Sequence, residues 1–143
     1  DGDGVLDDDD LCTGDDATGD ADDDGVCDDR DVCRGTAEAV GDYVVDEVDT
    51  AADLAALAGC QMIRGSLLIE NTALRDFSGL AGVATIEGNF RIESNDALTN
   101  IDGLSTLRAA GLGVQIVSND ALTRIDGLSA LTTVGTGLII RYN

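Results

Sequence analysis

Apolar side chains recur at one fixed period from residue 65 to residue 143. The period is marked by four asparagines, which lie 24 residues apart: Asn71, Asn95, Asn119 and Asn143. A period of this size predicts a solenoid, in which each repeat is one coil stacked on the coil before it. Within a repeat the apolar residues fall at steps of two and three, which indicates short strands joined by corners rather than a helix. The pattern predicts a mainly β fold with strands such as 114–117.

Two recurring residue types are predicted to shape the corners. The asparagine amide both donates and accepts hydrogen bonds, so stacked asparagines form a ladder that satisfies buried turn backbone. The pairs Asp102-Gly103 and Asp126-Gly127 are predicted to be turns in which glycine takes a positive φ. We expect the 24-residue repeat to continue without insertion or deletion from residue 65 to residue 143.

The periodic region resembles a known family. The run x-x-L-x-x-I-x-G-L-x-x-L in each repeat and the segment 59–69, Gly-Cys-Gln-Met-Ile-Arg-Gly-Ser-Leu-Leu-Ile, resemble the receptor L-domain and, more loosely, leucine-rich repeats. The resemblance covers about residues 40–143. It implies a right-handed β-solenoid with 24-residue coils, assigned here to a domain of residues 36–143, whose strand face binds protein ligands.

One outward row of strand side chains is the candidate binding face. Its predicted members are Leu67, Ile69, Arg91, Glu93, Gln115, Val117, Ile139 and Arg141. The mixture is more apolar than a purely solvent-facing row needs, although isolated exposed aliphatic residues are ordinary on protein surfaces. The row has no aromatic platform, which disfavours a sugar-binding role.

The two ends of the periodic region differ in sequence. After a first strand at 43–45, Thr50 to Asp53 resembles a capping box that opens a helix over about 51–58, and Gly59 ends that helix. This helix is predicted to cap the N-terminal end of the core. At the other end, the strand at 138–140 is predicted to present an unpaired apolar edge, which invites pairing with another chain unless further coils cover it.

Charge and composition exclude several functions. The net charge is −21, so the chain is not expected to bind nucleic acid or an anionic membrane surface. No run of about 20 apolar residues occurs, so membrane insertion is not expected. Because the chain has no histidine for acid–base chemistry, we do not expect it to be an enzyme. Stacked acids such as Asp96 over Asp120, and Asp102 over Asp126, are interpreted as solvated turns rather than a glycosidase pair.

The N-terminal segment is rich in aspartate, and its spacing predicts a metal site. From Asp20 it reads D-x-D-x-D-G-x-x-D-x-x-D, which supplies the six to eight oxygens that calcium prefers, with Gly25 at the bend. The predicted ligands are Asp20, Asp22, Asp24, the Val26 carbonyl, Asp28 and Asp31. An earlier copy of the loop offers Asp1, Asp3, Val5, Asp7 and Asp10. The last ligand is aspartate and no amphipathic helices flank the loops, so they are not EF-hands; a solvated acidic linker is the alternative.

The two loops, each ending in D-x-C, resemble thrombospondin type 3 repeats over residues 1–34. The resemblance implies calcium as the cofactor of an N-terminal domain, residues 1–35, without regular secondary structure. The four cysteines allow three pairings, and two disulfides are expected of an extracellular chain. The resemblance implies the pair Cys12–Cys27, which leaves Cys33–Cys60.

Together these features favour a non-enzymatic calcium-binding protein. We expect it to be secreted or exposed on the cell surface, with a solenoid that mediates protein interaction or adhesion. The alternative is a structural element, either a calcium-stiffened stalk or the subunit of a self-assembling filament. Whether the purified chain stays monomeric in calcium separates the two.

Overall fold

The structure is a computed structural model that describes residues 32–33, 37–48 and 50–143. These residues form ten strands in two parallel sheets of five strands each, with few helical turns. The strands are β1 (Glu38–Ala39), β2 (Tyr43–Val45), β3 (Met62–Ile63), β4 (Leu67–Glu70), β5 (Thr85–Ile86), β6 (Phe90–Glu93), β7 (Ala109–Ala110), β8 (Gly113–Val117), β9 (Thr133–Val134) and β10 (Gly137–Arg141). The prediction of a mainly β fold is confirmed.

Successive strands alternate between the two sheets. The short sheet has the order β1-β3-β5-β7-β9 and the long sheet the order β2-β4-β6-β8-β10. Every pair is parallel, so the chain returns to the same sheet in the same direction once per repeat. We number the repeats in chain order: repeat 1 (37–59), repeat 2 (60–82), repeat 3 (83–106), repeat 4 (107–130) and repeat 5 (131–143).

A third side connects each long-sheet strand to the next short-sheet strand. In repeat 1 it holds the helix α1 (Thr50–Ala55), and in the following repeats it holds the short 3-10 helices Ser78–Leu80, Asp102–Leu104 and Asp126–Leu128. The inward side chains of all three sides meet in one apolar core, which contains the two phenylalanines, Phe77 and Phe90, and is otherwise mainly aliphatic. Burying one such side chain contributes about 1.5–3 kcal/mol.

Repeat 2 is one residue shorter than the repeats that follow it. Leu67 of β4 pairs with Phe90 of β6, a step of 23, whereas Phe90 pairs with Val114 of β8, a step of 24. The expectation of an unbroken 24-residue register is therefore wrong at this point. The 24-residue step resumes by Arg75, whose carbonyl accepts a hydrogen bond from the Thr99 amide, so the missing residue falls between Thr72 and Arg75.

The asparagine ladder is present, but Asn71 is not part of it. Asn71 is exposed and has φ +56°, which places it at the left-handed turn position that Ser94 and Ser118 occupy in the next repeats. The ladder position of repeat 2 belongs to Thr72, whose amide and hydroxyl both donate to Asn95 Oδ1, at 3.0 and 2.7 Å. The shorter repeat explains the shift, because equal numbering steps no longer connect equivalent positions.

Glycine is required in the 3-10 helices by close packing rather than by a positive φ. A Cβ placed on Gly103 would collide with the Phe77 carbonyl of the repeat below, and one on Gly127 would collide with the Ile101 carbonyl. Neither glycine has a positive φ. The predicted Asp-Gly turns are therefore 3-10 helices, and the absent side chain lets neighbouring repeats approach at this corner.

The predicted helix at 51–58 is present but shorter, at Thr50–Ala55. Thr50 is its first helical residue, and its hydroxyl donates to the Asp46 carbonyl. Beyond Ala55 the backbone tightens into i to i+3 hydrogen bonds, such as Leu57 N to Leu54 O at 3.2 Å, and Gly59 ends the segment at φ +70°. Leu54 lies against Gly79 of the first 3-10 helix, so α1 packs on the repeat that follows it.

Candidate functional site

The outward side chains of the long sheet form the candidate functional site, which we call the outer face. Side chains alternate across a strand, so the core-facing register Leu67, Phe90, Val114 and Leu138 fixes which residues point outward. The first outward row is Val44, Leu68, Arg91, Gln115 and Ile139. The second outward row is Glu70, Glu93, Val117 and Arg141.

Six of the predicted face residues lie in these rows, and two do not. Leu67 and Ile69 are buried in the core, with 1% and 0% of their surface exposed, so their assignment to the binding face is wrong. A one-residue slip moves a strand's side chains to the opposite face, and the 23-residue step from β4 to β6 introduces that slip. Leu68 and Glu70 instead occupy the two outward positions of β4.

A signal in the sequence points to the correct assignment. Glu70 shares its side of the strand with Leu68, whereas Leu67 and Ile69 share the other side. A carboxylate is costly to bury unless it is paired, so the polarity of Glu70 indicates that the Leu68 side faces solvent. The asparagine spacing predicts the opposite face because it takes no account of the missing residue, and the alternation of polar and apolar residues is the better guide within this strand.

The outer face combines exposed apolar groups with charges of both signs. Val44 and Ile139 are 49% and 44% exposed. Arg91 and Glu93 form an ion pair within β6, while the Arg141 guanidinium lies 5.6 Å from the centre of the Tyr142 ring. Val117, between Glu93 and Arg141 in the second row, is nearly buried. The charges are separated along the second row, with acids in β4 and β6 and a base in β10.

The ladder beside the outer face fixes the ends of its strands. Asn95 and Asn119 are fully buried, and the amide of Asn95 donates to the carbonyls of Ile69 and Glu93, both at 3.0 Å. Asn119 Oδ1 in turn accepts from the Asn95 amides, at 3.0 Å from the backbone and 3.1 Å from the side chain. Each side chain therefore connects three successive repeats, which aligns the ends of the strands that carry the outer face.

The stacked acids on the third side are used in local structure. Asp102 accepts an ion-pair hydrogen bond from Arg124 at 2.9 Å, and Asp76 Oδ1 accepts from the Ser78 amide at 3.0 Å. A groove of about 410 Å³ passes between these turns. Asp96, Asp120 and Asp126 are exposed. The arrangement fits the interpretation of these acids as turn residues.

Beside the short sheet, one arginine lies between two glutamates of neighbouring repeats. Arg64 Nε donates to Glu38 at 2.7 Å, and the Arg64 guanidinium approaches Glu87 at 3.7 Å. The hydrogen bond from Arg64, with a smaller contribution from its charge, lowers the pKa of Glu38 below its ordinary value. The same bond raises the pKa of Arg64. Both groups are exposed, so the ion pair is screened by solvent and contributes little.

The predicted bridge between Cys33 and Cys60 is confirmed, with the two Cα atoms 5.3 Å apart. Both cysteines are fully buried, and the bridge closes a loop that contains repeat 1 and α1. The other predicted pair, Cys12–Cys27, and the calcium ligands between Asp1 and Asp31 lie outside the described residues. Within the described residues no group of three acidic, cysteine or histidine side chains is placed to hold a metal ion.

No family model, no curated protein and no solved structure matches this chain. In the part of the chain that the structure describes, no helix is both long enough and apolar enough to cross a membrane.

Proposed function

We propose that this chain is a non-enzymatic, extracellular, calcium-binding protein that binds another protein through its outer face. The observation that carries the proposal is the exposure of aliphatic side chains, Val44 and Ile139, on a sheet in which every strand pair is parallel. Helical crossovers cover both faces of most parallel sheets, whereas here the connections form the third side and leave the outer face open. Exposed aliphatic side chains on that open face favour a surface that is covered when a partner binds.

The chemistry of the outer face suits a protein partner. Protein interfaces combine apolar groups with polar ones, and arginine is enriched in them. The outer face has Leu68 and Ile139 in one row and Arg91 and Arg141 among its charges. The hydrogen-bonded ladder fixes the backbone of the strands that carry these groups, so little backbone entropy is lost when a partner binds.

The proposed architecture is a right-handed β-solenoid resembling the receptor L-domain. Three features support it: strands alternate between two parallel sheets, successive turns follow at 23 or 24 residues, and buried asparagines stack from turn to turn. In such a stack, residues far apart in sequence become neighbours at the strand spacing of about 4.8 Å. The outer face is the surface that this repetition builds.

Calcium binding by residues 1–31 is proposed from spacing that resembles thrombospondin type 3 repeats. The disulfide Cys33–Cys60 supports an oxidising, extracellular location, because such bonds are rare in reducing compartments. The bridge would also hold the calcium-binding segment against repeat 1. Calorimetry with calcium chloride should give heat of binding, and Asp24→Ala should remove one site, since it deletes a predicted ligand. A native chain that gives no binding heat would contradict this part of the proposal.

The interaction surface can be tested by site-specific photo-crosslinking. A photoreactive phenylalanine at Gln115 lies in the middle of the outer face, and the same group at Ala109 lies on the short sheet as a matched control. In calcium, we expect the Gln115 probe to give discrete cross-linked proteins when the chain is incubated with extracellular extract, and the Ala109 probe to give none. Equal labelling from both positions, or labelling from Ala109 alone, would refute the proposed surface.

A further inference from the structure

We propose that the partner of the outer face is a second copy of this chain, packed face to face with its stack of repeats reversed. The inference rests on the proposed function, because it names the occupant of the same surface. It follows from the order of side chains along the two outward rows. The contact involves the four strands from β4 to β10 and leaves Val44 of β2 outside it. Over these four strands the first row is apolar at both ends, and the second row is acidic at one end and basic at the other.

A two-fold axis parallel to the strands, between β6 and β8, makes this pattern self-complementary. The axis reverses the order of the repeats and leaves each row opposite the same row of the second copy. Leu68 then faces Ile139 of the second copy, and Glu70 faces Arg141 of the second copy. Each of these contacts occurs twice, as an isologous interface requires.

The middle of the face is compatible with the same arrangement. Arg91 faces Gln115 of the second copy, and Glu93 faces Val117 of the second copy. Arg91 and Glu93 already form an ion pair within β6, so neither charge is left without a partner when water is excluded. Packing with the repeats in the same order would place Arg91 opposite Glu93, but it would also place Leu68 opposite Glu70 and Ile139 opposite Arg141. It would therefore set a charge against an aliphatic group at twice as many contacts as the reversed order, in which only Glu93 faces an aliphatic side chain. The reversed order is therefore favoured.

The interface is small, and the charge of the chain opposes it. Four strands with two outward side chains each cover less than the roughly 1,200–2,000 Å² of a standard interface. The net charge of −21 repels a second copy, although at physiological salt this repulsion is screened beyond about 8 Å. Calcium bound to residues 1–31 would lower the repulsion further. We therefore expect a weak dimer, with a dissociation constant of about 10 μM to 1 mM, in calcium and physiological salt.

Charge exchange between two variants tests the proposal. Glu70→Arg places two arginines opposite each other in the dimer, and Arg141→Glu places two carboxylates opposite each other, so each variant alone should dimerise roughly tenfold or more weakly. An equimolar mixture restores both attractive contacts, as does the double variant. Both positions point outward, and far-ultraviolet circular dichroism verifies that each variant is folded. Arg75→Glu, at an exposed residue off the outer face, makes the same charge change as Arg141→Glu and is the matched control for that variant.

Sedimentation of the full chain in calcium and physiological salt gives the readout. Association of the native chain and of Arg75→Glu, its loss in each single variant and its return in the mixture would establish the arrangement. A native chain that stays monomeric up to about 1 mM, single variants that associate as tightly as the native chain, or a mixture that stays monomeric would each overturn it. If the chain stays monomeric but a probe at Gln115 still cross-links another protein, the proposal of a second copy is wrong and the proposed function is retained.

Discussion

The first and last repeats both direct apolar side chains toward the core, but these side chains are buried in the first repeat and exposed in the last. In repeat 1, Ala39, Val45 and Leu57 are at most 1% exposed, whereas in repeat 5 Leu138 and Ile140 are 47% and 39% exposed. Repeat 1 has the helix α1 on its third side and a disulfide across its ends. An apolar residue in a stacked fold therefore contributes according to the neighbours above and below it, which its place in the repeat alone does not determine.

Truncation of one core position in two repeats should have the largest effect and tests this contrast directly. Ile116 of β8 and Ile140 of β10 are register partners, but only Ile116 is fully buried. We expect Ile116→Ala to lower the free energy of unfolding by about 2–5 kcal/mol, because it leaves a cavity. Ile140→Ala should cost less than half as much. Denaturant titration measures both, and equal costs would show that repeat 5 is covered in solution.

Removal of the disulfide should weaken the closed end of the stack. The bridge spans 27 residues of sequence, and loop-closure entropy for a loop of this size predicts a loss of about 3–4 kcal/mol. The double variant Cys33→Ala/Cys60→Ala avoids a free thiol and keeps the positions apolar. Thermal unfolding should begin at a lower temperature. Amide hydrogen exchange should show that repeat 1 opens first. An unchanged melting temperature would mean that packing of α1 stabilises this end of the stack without the disulfide.

Much of the architecture follows from the sequence, because its physical causes are local and repeated. The period-two steps around Val114 and Ile116 predicted the strands. The even cysteine count in an extracellular-looking chain predicted two disulfides without fixing their pairing, and the resemblance to thrombospondin type 3 repeats implied the pair Cys33–Cys60, which is present. The buried asparagines were predicted as a ladder because an amide is the side chain that donates and accepts at one corner. Asn95 and Asn119 have that role.

The errors have two physical causes, which are a change of repeat length that equal numbering steps conceal and contacts between repeats that the sequence of one repeat does not show. A single missing residue after Thr72 left Asn71 in phase by number but out of phase in space. The same slip placed Leu67 and Ile69 on the wrong face of β4. The role of Gly103 was also misassigned, since the collision that excludes a side chain comes from the Phe77 carbonyl of another repeat. Contacts between repeats are invisible in a single repeat's sequence.

Two asparagine substitutions separate the ladder from the turn beside it. Asn95→Ala leaves buried amide and carbonyl groups unpaired, so we expect a loss of about 1–3 kcal/mol in unfolding free energy. Asn71→Gly, at an exposed position with positive φ, keeps the backbone conformation and should change stability by less than about 0.5 kcal/mol. Thermal melts of the two variants give the comparison. The ladder assignment would fail if Asn71→Gly were the more damaging change.

The smallest expected effect is a pH dependence of stability, which arises from the ion pair between Glu38 of repeat 1 and Arg64 of repeat 2. The pKa of Glu38 is lowered by its hydrogen bond from Arg64, so the folded state favours the ionised carboxylate. The resulting stabilisation is present above the unfolded-state pKa, whose ordinary value is 4.5, and is lost as the pH falls through the lower folded-state pKa. Melting temperatures of Glu38→Gln should therefore converge with the native values only in acid. Glu47→Gln, at another exposed acid, is the control, and the same convergence in that variant would contradict the assignment.

The outer face as the contact surface is the central claim, and chemical-shift mapping tests it most directly. A nitrogen-15-labelled chain in calcium is compared at low concentration and after addition of excess unlabelled chain. We predict shift changes or line broadening concentrated in β4, β6, β8 and β10, greatest near Leu68 and Ile139, with the short sheet unchanged. Changes centred on the short sheet or the 3-10 helices, or a spectrum that does not respond up to about 1 mM, would contradict the proposal that copies of the chain meet through the outer face.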